Sequence, residues 1–369
     1  MSNLVLYRKY RPSKFSEVIG QEHIVKTLTN ALENDMVSHA YLFCGPRGSG
    51  KTTIARIMAK AVNCLDRKGP EPCNKCSSCI EINSGRAIDL IEIDAASNRG
   101  IDEIRDLKAG ARFAPTRLKY KVFIIDESHQ LSKDAANALL KILEEPPAHV
   151  IFILATTDAH KMISTIISRT QRFDFYKLAV GQLVQKLKLI VKEEKTKIDE
   201  DALELIAGHS EGAFRDAESL LDQVMTFAKT TGDKHITADE IKDFLGIIDT
   251  KLVAEFLKFV SKKDKVKAIR FLNENIEKGI NPFEFAKSFV DYIRYALLYK
   301  IDPELNNSLA GTLTKEEKED LANQAKGLDE KGLRTLLKVF LEAQARMKYS
   351  PIPQLPLELA VLEITEEKE

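Results

Sequence analysis

The sequence predicts an α/β domain with a five-stranded parallel sheet, followed by a region that contains only helices. Two observations lead to this prediction: five short, nearly continuous apolar runs alternate with stretches of helical periodicity, and beyond residue 178 the pattern becomes helical throughout. Continuous apolar runs are typical of parallel strands that are covered on both faces. We therefore expect strands at residues 41–44, 90–93, 122–125, 150–154 and 173–175.

The first forty residues predict a basic arm followed by an amphipathic helix. Arg8, Lys9 and Arg11 lie in the arm, and apolar residues recur at helical spacing from Ile24 to Leu32. No apolar stretch follows the basic residues as it would in a signal peptide, and no run of eighteen apolar residues occurs in the chain. We expect a soluble, cytoplasmic protein that has no membrane partner.

Composition and charge set further bounds. A chain of 369 residues with 44% hydrophobic content can fill several cores, so we expect several domains. Lys plus Arg and Asp plus Glu both number 55, so the chain has no general electrostatic attraction to nucleic acid. Any DNA contact must therefore come from a local patch.

Residues 45–53 form the most specific motif. They fit the pattern G-x-x-x-x-G-K-[ST] of a phosphate-binding loop, between a predicted strand and an amphipathic stretch. The glycines let the backbone curl around phosphate, Lys51 can reach the β- and γ-phosphates, and the Thr52 hydroxyl can hold Mg²⁺. A glycine-rich turn before a helix is the alternative, but strand, loop and helix together favour a nucleotide site. The predicted contacts are Gly45, Gly48, Ser49, Gly50, Lys51, Thr52 and Thr53.

Two carboxylates, Asp126 and Glu127, follow the third predicted strand, at the edge where α/β sheets bind ligands. Asp126 is predicted to support Mg²⁺. Glu127 lies one residue further on, so we expect it to point to the opposite face and to polarise the attacking water. An acidic pair at a strand end often only caps the next helix, but downstream of a phosphate loop we favour the catalytic interpretation.

Four cysteines in a loop-rich stretch predict a structural zinc site. Their spacing, C-x8-C-x2-C-x2-C, would close a tetrahedral shell of thiolates and leave no open position for catalysis. Scattered buried thiols are the alternative, although paired C-x2-C spacing in an intracellular chain is more typical of a metal site. The predicted ligands are Cys64, Cys73, Cys76 and Cys79, whereas Cys44 is expected to be a small buried residue in a strand.

Several sequence strings together resemble one family. Residues 10–12, 45–52, 94–97, 126–129, 137–141, 143–147 and 168–169 closely resemble the τ/γ subunits of bacterial DNA polymerase III, and so does the four-cysteine insertion. The resemblance covers nearly the whole chain. It implies an α/β AAA+ P-loop NTPase domain with a zinc-binding insertion, then a small helical lid domain and an all-α collar domain.

The same resemblance implies a function, cofactors and partners. The chain would be the ATPase subunit of a sliding-clamp loader, which uses ATP and Mg²⁺ to open the β clamp and close it around primer–template DNA. Zn²⁺ would occupy the cysteine site. The implied partners are other copies of the chain, the δ and δ′ subunits, the β clamp and DNA.

Individual residues also take roles from this resemblance. Glu127 matches the catalytic base, Lys51 the phosphate-binding lysine, and Arg169 an arginine finger that acts on ATP bound to the neighbouring subunit. Without the family, an arginine before a strand is usually a solvated charge. The remaining matched nucleotide positions are Thr157 (sensor 1), Arg215 (sensor 2), and Tyr10, Arg11, Val18 and Ile19, in the stretch that resembles the one packing on the adenine.

Contacts with DNA and clamp are less specific in the sequence. Arg99 and Arg105 match the region that tracks the template backbone in loaders, and they would contact phosphates without reading bases. A solvated helix face beside Glu103 is an equally open interpretation. Phe113 lies in a loop that resembles the clamp-facing element, yet it could equally be a core residue.

We expect three domains: an ATPase domain at 1–178 with the cysteine module at about 64–79, a lid at 179–243, and an oligomerisation collar at 244–369.

Two rival functions share this fold. Another AAA+ motor would lack the cysteine insertion and the collar, and a non-enzymatic scaffold would lack an intact Lys51, Thr52 and Glu127. The sequence leaves open whether the chain is a natural short form or part of a longer protein.

Overall fold

The computed structural model describes residues 4–98, 100–231, 235–246, 248–302 and 315–365. The chain divides into two units, Met1–His235 and Ile236–Glu369. The domain boundaries expected at 178/179 and 243/244 stay predictions. Among the described residues, no helix combines the length and the apolarity needed to cross a membrane.

Five parallel strands form the centre of the first unit, as predicted. Their order across the sheet is β2-β3-β4-β1-β5, so β1 lies between the fourth and fifth strands. The register pairs Cys44 with Thr156 and Asp94 with Asp126, which brings the carboxyl ends of the strands to one edge. The strands are β1 Ala40–Cys44, β2 Leu90–Asp94, β3 Lys121–Asp126, β4 Val150–Thr156 and β5 Gln171–Asp174.

Apolar cores cover both faces of this sheet. Side chains alternate along β1, so Tyr41 and Phe43 enter one core while Leu42 enters the other. The first core also contains the apolar faces of helices α2 and α3, and the second contains those of α5 and α6. In chain order the helices of this unit are α1 Leu6–Lys9, α2 Glu22–Glu33, α3 Lys51–Asn63, α4 Ser77–Asn83, α5 Ile101–Ala111, α6 Lys133–Glu144, α7 Ser164–Ile167, α8 Val180–Glu194, α9 Glu200–His209 and α10 Phe214–Thr231.

The apolar pattern located the fifth strand but not its bounds. It was expected at 173–175, but it runs from Gln171 to Asp174 and leaves Phe175 outside. As an edge strand it buries only Phe173, so its residues do not form a continuous apolar run. Two-residue strands at Lys197–Ile198 and His235–Ile236 complete the strands that the structure describes.

The second unit is helical, as predicted. A core of aromatic rings forms its centre, with the ring centroid of Phe289 at 4.7 Å from both Phe256 and Phe340. The aromatic residues of the helix Pro282–Ile301 are therefore mainly core residues, including Phe285 and Tyr292. The described helices are α11 Ala238–Leu245, α12 Thr250–Ser261, α13 Lys265–Glu277, α14 Pro282–Ile301, α15 Lys315–Gly327, α16 Glu330–Met347 and α17 Leu355–Thr365.

Candidate nucleotide site and metal centre

The glycine-rich loop joins β1 to α3 at the carboxyl edge of the sheet. β1 ends at Cys44 and α3 begins at Lys51, so the loop leads directly into a helix N-terminus. Gly48 has a φ of 75°, and a Cβ atom there would lie 2.7 Å from the Cβ of Ala213. Glycine is therefore required at this position. The N–H groups of the first turn and the positive dipole end of α3 make this edge suited to binding an anion.

Lys51 lies at the centre of this loop. Its side chain is buried, with 6% of the residue exposed, and its Nζ atom donates to the carbonyl oxygens of Gly45 at 2.7 Å and Pro46 at 2.8 Å. Burial lowers the pKa of Lys51, while the carboxylates of Asp126 and Glu127 act in the opposite direction. An ammonium group that donates to neutral carbonyls can exchange them for phosphate oxygens, which offer charge-assisted hydrogen bonds.

Thr52 and Asp126 meet beside Lys51. The Thr52 hydroxyl donates to Oδ2 of Asp126 at 2.7 Å, across the gap between the start of α3 and the end of β3. A hydroxyl and a carboxylate oxygen at this separation are the hard oxygen ligands that Mg²⁺ takes from protein next to phosphates. The structure thus brings together the two residues that the sequence predicts at the Mg²⁺ position.

Glu127 is held by a different set of contacts. The sequence placed its side chain on the opposite face of the strand from Asp126, and this was wrong: Glu127 has a φ of 48°, so the strand has ended and both carboxylates line one cavity. Its Oε2 atom accepts a hydrogen bond from the Thr157 hydroxyl at 2.8 Å and lies 3.5 Å from Nδ1 of His129. A left-handed backbone at a non-glycine residue is strained, and such strain concentrates at functional sites.

His129 is a residue of this site that sequence reasoning missed. Its Nδ1 atom lies 3.0 Å from the Thr156 hydroxyl as well as near Glu127. A single histidine two residues after an acidic pair matches no sequence motif. Only the fold therefore shows that His129 lies next to Glu127 and Thr156. Thr157 itself does not line the cavity and reaches it through Glu127.

The cavity extends from the phosphate loop to the N-terminal arm and the start of α10. Apolar side chains of Pro12, Val18 and Ile19 line it there, a suitable wall for a nucleobase. The predicted residues that line the cavity are Arg11, Val18, Ile19, Gly48, Ser49, Gly50, Lys51, Thr52, Thr53, Asp126, Glu127 and Arg215. Gly45 takes part through its carbonyl, which accepts from Lys51.

Tyr7, and not Tyr10, is the arm tyrosine that lines this cavity. The Tyr10 hydroxyl donates to Glu194 at 2.8 Å, and its carbonyl oxygen accepts from Nζ of Lys186. The ring of Tyr7 instead lies under the guanidinium group of Arg215, whose Cζ atom is 4.9 Å from the ring centroid. The sequence shows two tyrosines in one basic arm, and nothing in their spacing separates them.

Glu218 was also missed by sequence reasoning. It lies one turn after Arg215 on α10, lines the cavity and is 5% exposed. Burial raises the pKa of its carboxyl group to about 7, although the charges of Lys186 and Arg11 lower it. An acidic residue in an amphipathic helix normally faces water, so the sequence gives no sign of this burial.

Arg169 lies outside the cavity of its own chain. Its Nη2 atom forms an ion pair with Oε1 of Glu144 at 2.6 Å, and Nη1 donates to the carbonyl oxygen of Thr165 at 2.9 Å. The Arg169 side chain is 33% exposed. The side chain is therefore available at the surface, where a second molecule could reach it.

The predicted DNA and clamp contacts are placed only in part. Arg99 lies outside the described residues. Arg105 is exposed on α5. Phe113 is 71% exposed, so the alternative that it is a core residue is wrong.

The four cysteines converge as their spacing predicts. The sulfur atoms of Cys64, Cys73, Cys76 and Cys79 all lie within 4.8 Å of one another, and those of Cys64 and Cys76 are 4.0 Å apart. Four thiolates around zinc at its usual bond length would stand about 3.8 Å apart, so the cluster fits such an ion. Backbone N–H groups of Lys75 and Cys76 donate to the Cys73 sulfur and lower the pKa of that thiol to about 6, which favours the thiolate form.

Polar contacts tie this cysteine module to the N-terminal arm. The buried Lys60 donates from Nζ to the carbonyl oxygen of Ser13 at 2.8 Å and to Oδ1 of Asn74 at 2.7 Å. The Glu71 carboxylate accepts from the backbone N–H groups of Phe15 and Ser16. The module therefore holds the segment that continues into Val18 and Ile19 at the cavity wall.

Known proteins resemble this chain over its whole length. The family described as "DNA polymerase III, delta subunit" matches residues 20–179, the "DNA polymerase III clamp loader subunit, ATPase lid domain" matches 182–230, and "DNA polymerase III subunits gamma and tau domain III" matches 236–369. "DNA polymerase III subunit tau" of Bacillus subtilis is 44% identical over 99% of this chain and 63% of its own length. The chain thus spans less than two thirds of that relative.

One further relative is similar in sequence, and one solved structure is similar in fold. "DNA polymerase III subunit gamma" of Buchnera aphidicola subsp. Acyrthosiphon pisum is 34% identical over 99% of both chains. Among solved structures, the Thermotoga maritima RuvB Holliday junction branch migration motor matches 68% of this chain and 79% of its own at 22% identity, with a TM-score of 0.49. That structural similarity is too low to support an argument.

Glu218 should make the folded chain less stable as pH rises. The carboxyl group titrates near 4.5 when unfolded and near 7 when folded, so the folded chain binds more protons between these values. The free energy of unfolding should therefore fall by roughly 3 kcal/mol as pH rises from 5 to 8. Glu218→Gln cannot ionise, so denaturant unfolding of this variant should lack that contribution. If the free energies of unfolding of wild type and variant differ by the same amount at pH 5 and pH 8, the raised pKa of Glu218 is contradicted.

Proposed function

The chain belongs to the family of gamma and tau subunits of DNA polymerase III, and from this membership we propose that it is an ATP-hydrolysing subunit of a sliding-clamp loader. The observation that most supports this is the meeting of Lys51, Thr52, Asp126 and Glu127 at one edge of the sheet. This arrangement contains the parts that phosphoryl transfer to water needs: a phosphate cradle, a metal position and a carboxylate for the nucleophile. A scaffold subunit would not need all of them.

The proposed roles follow from the contacts. Lys51 would leave the carbonyls of Gly45 and Pro46 and donate to the β- and γ-phosphates. Thr52 and Asp126 would hold Mg²⁺, which when bound neutralises charge on the phosphates. Glu127 would orient the attacking water and accept its proton, while the Thr157 hydroxyl keeps that carboxylate in place.

Arg169 would complete the site of a neighbouring subunit. It does not line its own cavity, and its partly exposed side chain can exchange Glu144 for a phosphate oxygen. An arginine supplied in trans stabilises the charge that develops on the transferred phosphoryl group. Hydrolysis would then depend on assembly.

The proposed partners follow from family membership. They are further copies of this chain, the δ and δ′ subunits, the β clamp and primer–template DNA, in the cytoplasm. Arg105 and Phe113 support this because both are exposed and could reach DNA phosphate and clamp respectively. The cysteine module would hold Zn²⁺ as a structural ion, since its four ligands leave no open position.

Lys51→Ala should lower ATP turnover by on the order of 10²–10³, because the cation at the phosphates is lost. The measurement is steady-state hydrolysis in the assembled loader with clamp and primed DNA, together with ATP binding by calorimetry. Lys26→Ala is the matched control, since Lys26 is exposed on α2. Wild-type turnover in the Lys51 variant would refute the site.

Mixing two inactive variants tests Arg169. Arg169→Ala should bind ATP and lose on the order of 10³–10⁵ in rate, and Glu127→Gln should also bind ATP without hydrolysing it. In mixed assemblies, an intact Glu127 pocket on the first variant can face an intact Arg169 on the second, which should restore part of the turnover. If mass measurement confirms mixed assemblies that show no activity above the sum of the separate variants, Arg169 does not act across a boundary.

Metal analysis of chelator-free protein should find about one zinc per chain. Cys76→Ser should release it and lower the unfolding temperature, because metal binding is coupled to folding of the module. ATP binding should also weaken, since the module holds the arm that lines the cavity. Cys44→Ala is the control and should keep its metal, as Cys44 is a buried cysteine outside the cluster. Native protein without metal would exclude the proposed ion.

A further inference from the structure

Glu218 is a buried carboxylate for which the mechanism above has no use. It lines the cavity at 5% exposure, and within the described part of the chain it has neither a hydrogen bond nor an ion pair. Burying an unpaired charged group is strongly unfavourable, so native structures normally give it a partner. A polar group that lacks a protein partner and faces a ligand cavity is a candidate to bind the ligand.

The charged neighbours of Glu218 lie on the N-terminal arm and on α8. The charges that act on it belong to Lys186 on α8 and Arg11 on the arm, whereas those that act on Lys51 belong to Asp126, Glu127 and Cys44. Lys186 donates to the carbonyl oxygen of Tyr10 at 2.8 Å, so its ammonium group already has a partner. Lys186, Arg11 and Pro12 line the cavity together with Glu218, so we assign Glu218 to the arm-lined part of the cavity, whose apolar wall suits a nucleobase.

The nucleoside half of ATP carries O–H and N–H groups that could donate a hydrogen bond to the Glu218 carboxylate. The apolar side chains of Pro12, Val18 and Ile19 suit the face of a base, and they leave its polar edge and the ribose hydroxyls to find acceptors elsewhere. An ionised carboxylate only accepts hydrogen bonds. At pH 8, where Glu218 is ionised, its ligand partner must therefore be an O–H or N–H group.

We propose that Glu218 is a specificity-determining residue that accepts a hydrogen bond from a donor on the nucleoside half of the bound nucleotide. The donor is either a ribose hydroxyl or the exocyclic amine of adenine, which share this chemistry. The inference rests on the proposed function, because it requires that the cavity bind a nucleoside triphosphate. A site built to pair with such a donor rejects analogues that lack it, since the carboxylate is then left buried and unpaired.

The test compares wild type with Glu218→Leu and Glu218→Gln by calorimetry at pH 8 with Mg²⁺. The ligands are ATP, 2′-deoxyATP, 3′-deoxyATP and inosine triphosphate, in which a carbonyl replaces the amine. Wild type should bind the analogue that lacks the recognised donor roughly tenfold or more weakly than ATP. The Leu variant should bind ATP more weakly than wild type does, by a similar factor. Its affinities for ATP and for that analogue should then be equal. The Gln variant, which keeps a carbonyl acceptor, should retain part of the discrimination.

Thermal unfolding without nucleotide separates this role from a structural one. At pH 8, where Glu218 is ionised, Glu218→Leu removes a buried unpaired charge, so the variant should unfold at the same or a higher temperature than wild type. Destabilisation of the Leu variant, or an equal loss of affinity for all four nucleotides, would overturn the proposal. If wild type binds ATP and the Leu variant keeps the same discrimination, only this inference fails. If wild type binds no nucleotide, the proposed function fails with it.

Discussion

The site depends on one interaction, the capture of the buried Lys51 ammonium group by the carbonyls of its own loop. A charge so deeply buried needs partners, and the carbonyl oxygens of Gly45 and Pro46 supply them. They can do so only because the glycines let the loop curl between β1 and α3. The parallel register of the sheet then brings Asp126 to the same edge. Phosphate binding would replace neutral partners by charged ones without moving the scaffold.

The cysteine module and the cavity are parts of one continuous structure. Lys60 lies on α3, the helix that begins at Lys51, and it joins that helix to Ser13 of the arm and to Asn74 of the module. Beyond Ser13 the arm continues to the apolar wall at Val18 and Ile19. A metal ion that orders the module would therefore also order one wall of the cavity, although none of the cysteines lines that cavity.

Local patterns predicted the sheet, the phosphate loop and the cysteine cluster, because each depends on residues that are close in sequence. The sequence analysis failed where the outcome depends on tertiary contacts. The turn of the backbone at Glu127 reversed the expected direction of its side chain, and Tyr7 took the cavity position expected for Tyr10. Glu218 looked like a solvated helix residue because the arm and α8 that surround it are distant in sequence. The bounds of the edge strand β5 were misplaced because only Phe173 is buried there.

The most direct test of this account is a crystal structure of the assembled protein with Mg²⁺ and a non-hydrolysable ATP analogue. We expect the Nζ atom of Lys51 to leave the carbonyls of Gly45 and Pro46 and to lie within hydrogen-bond distance of the β- and γ-phosphates. The Thr52 hydroxyl should contact Mg²⁺, and the base should pack on Val18 and Ile19. A nucleotide bound elsewhere, with Lys51 still held by its two carbonyls, would contradict the account.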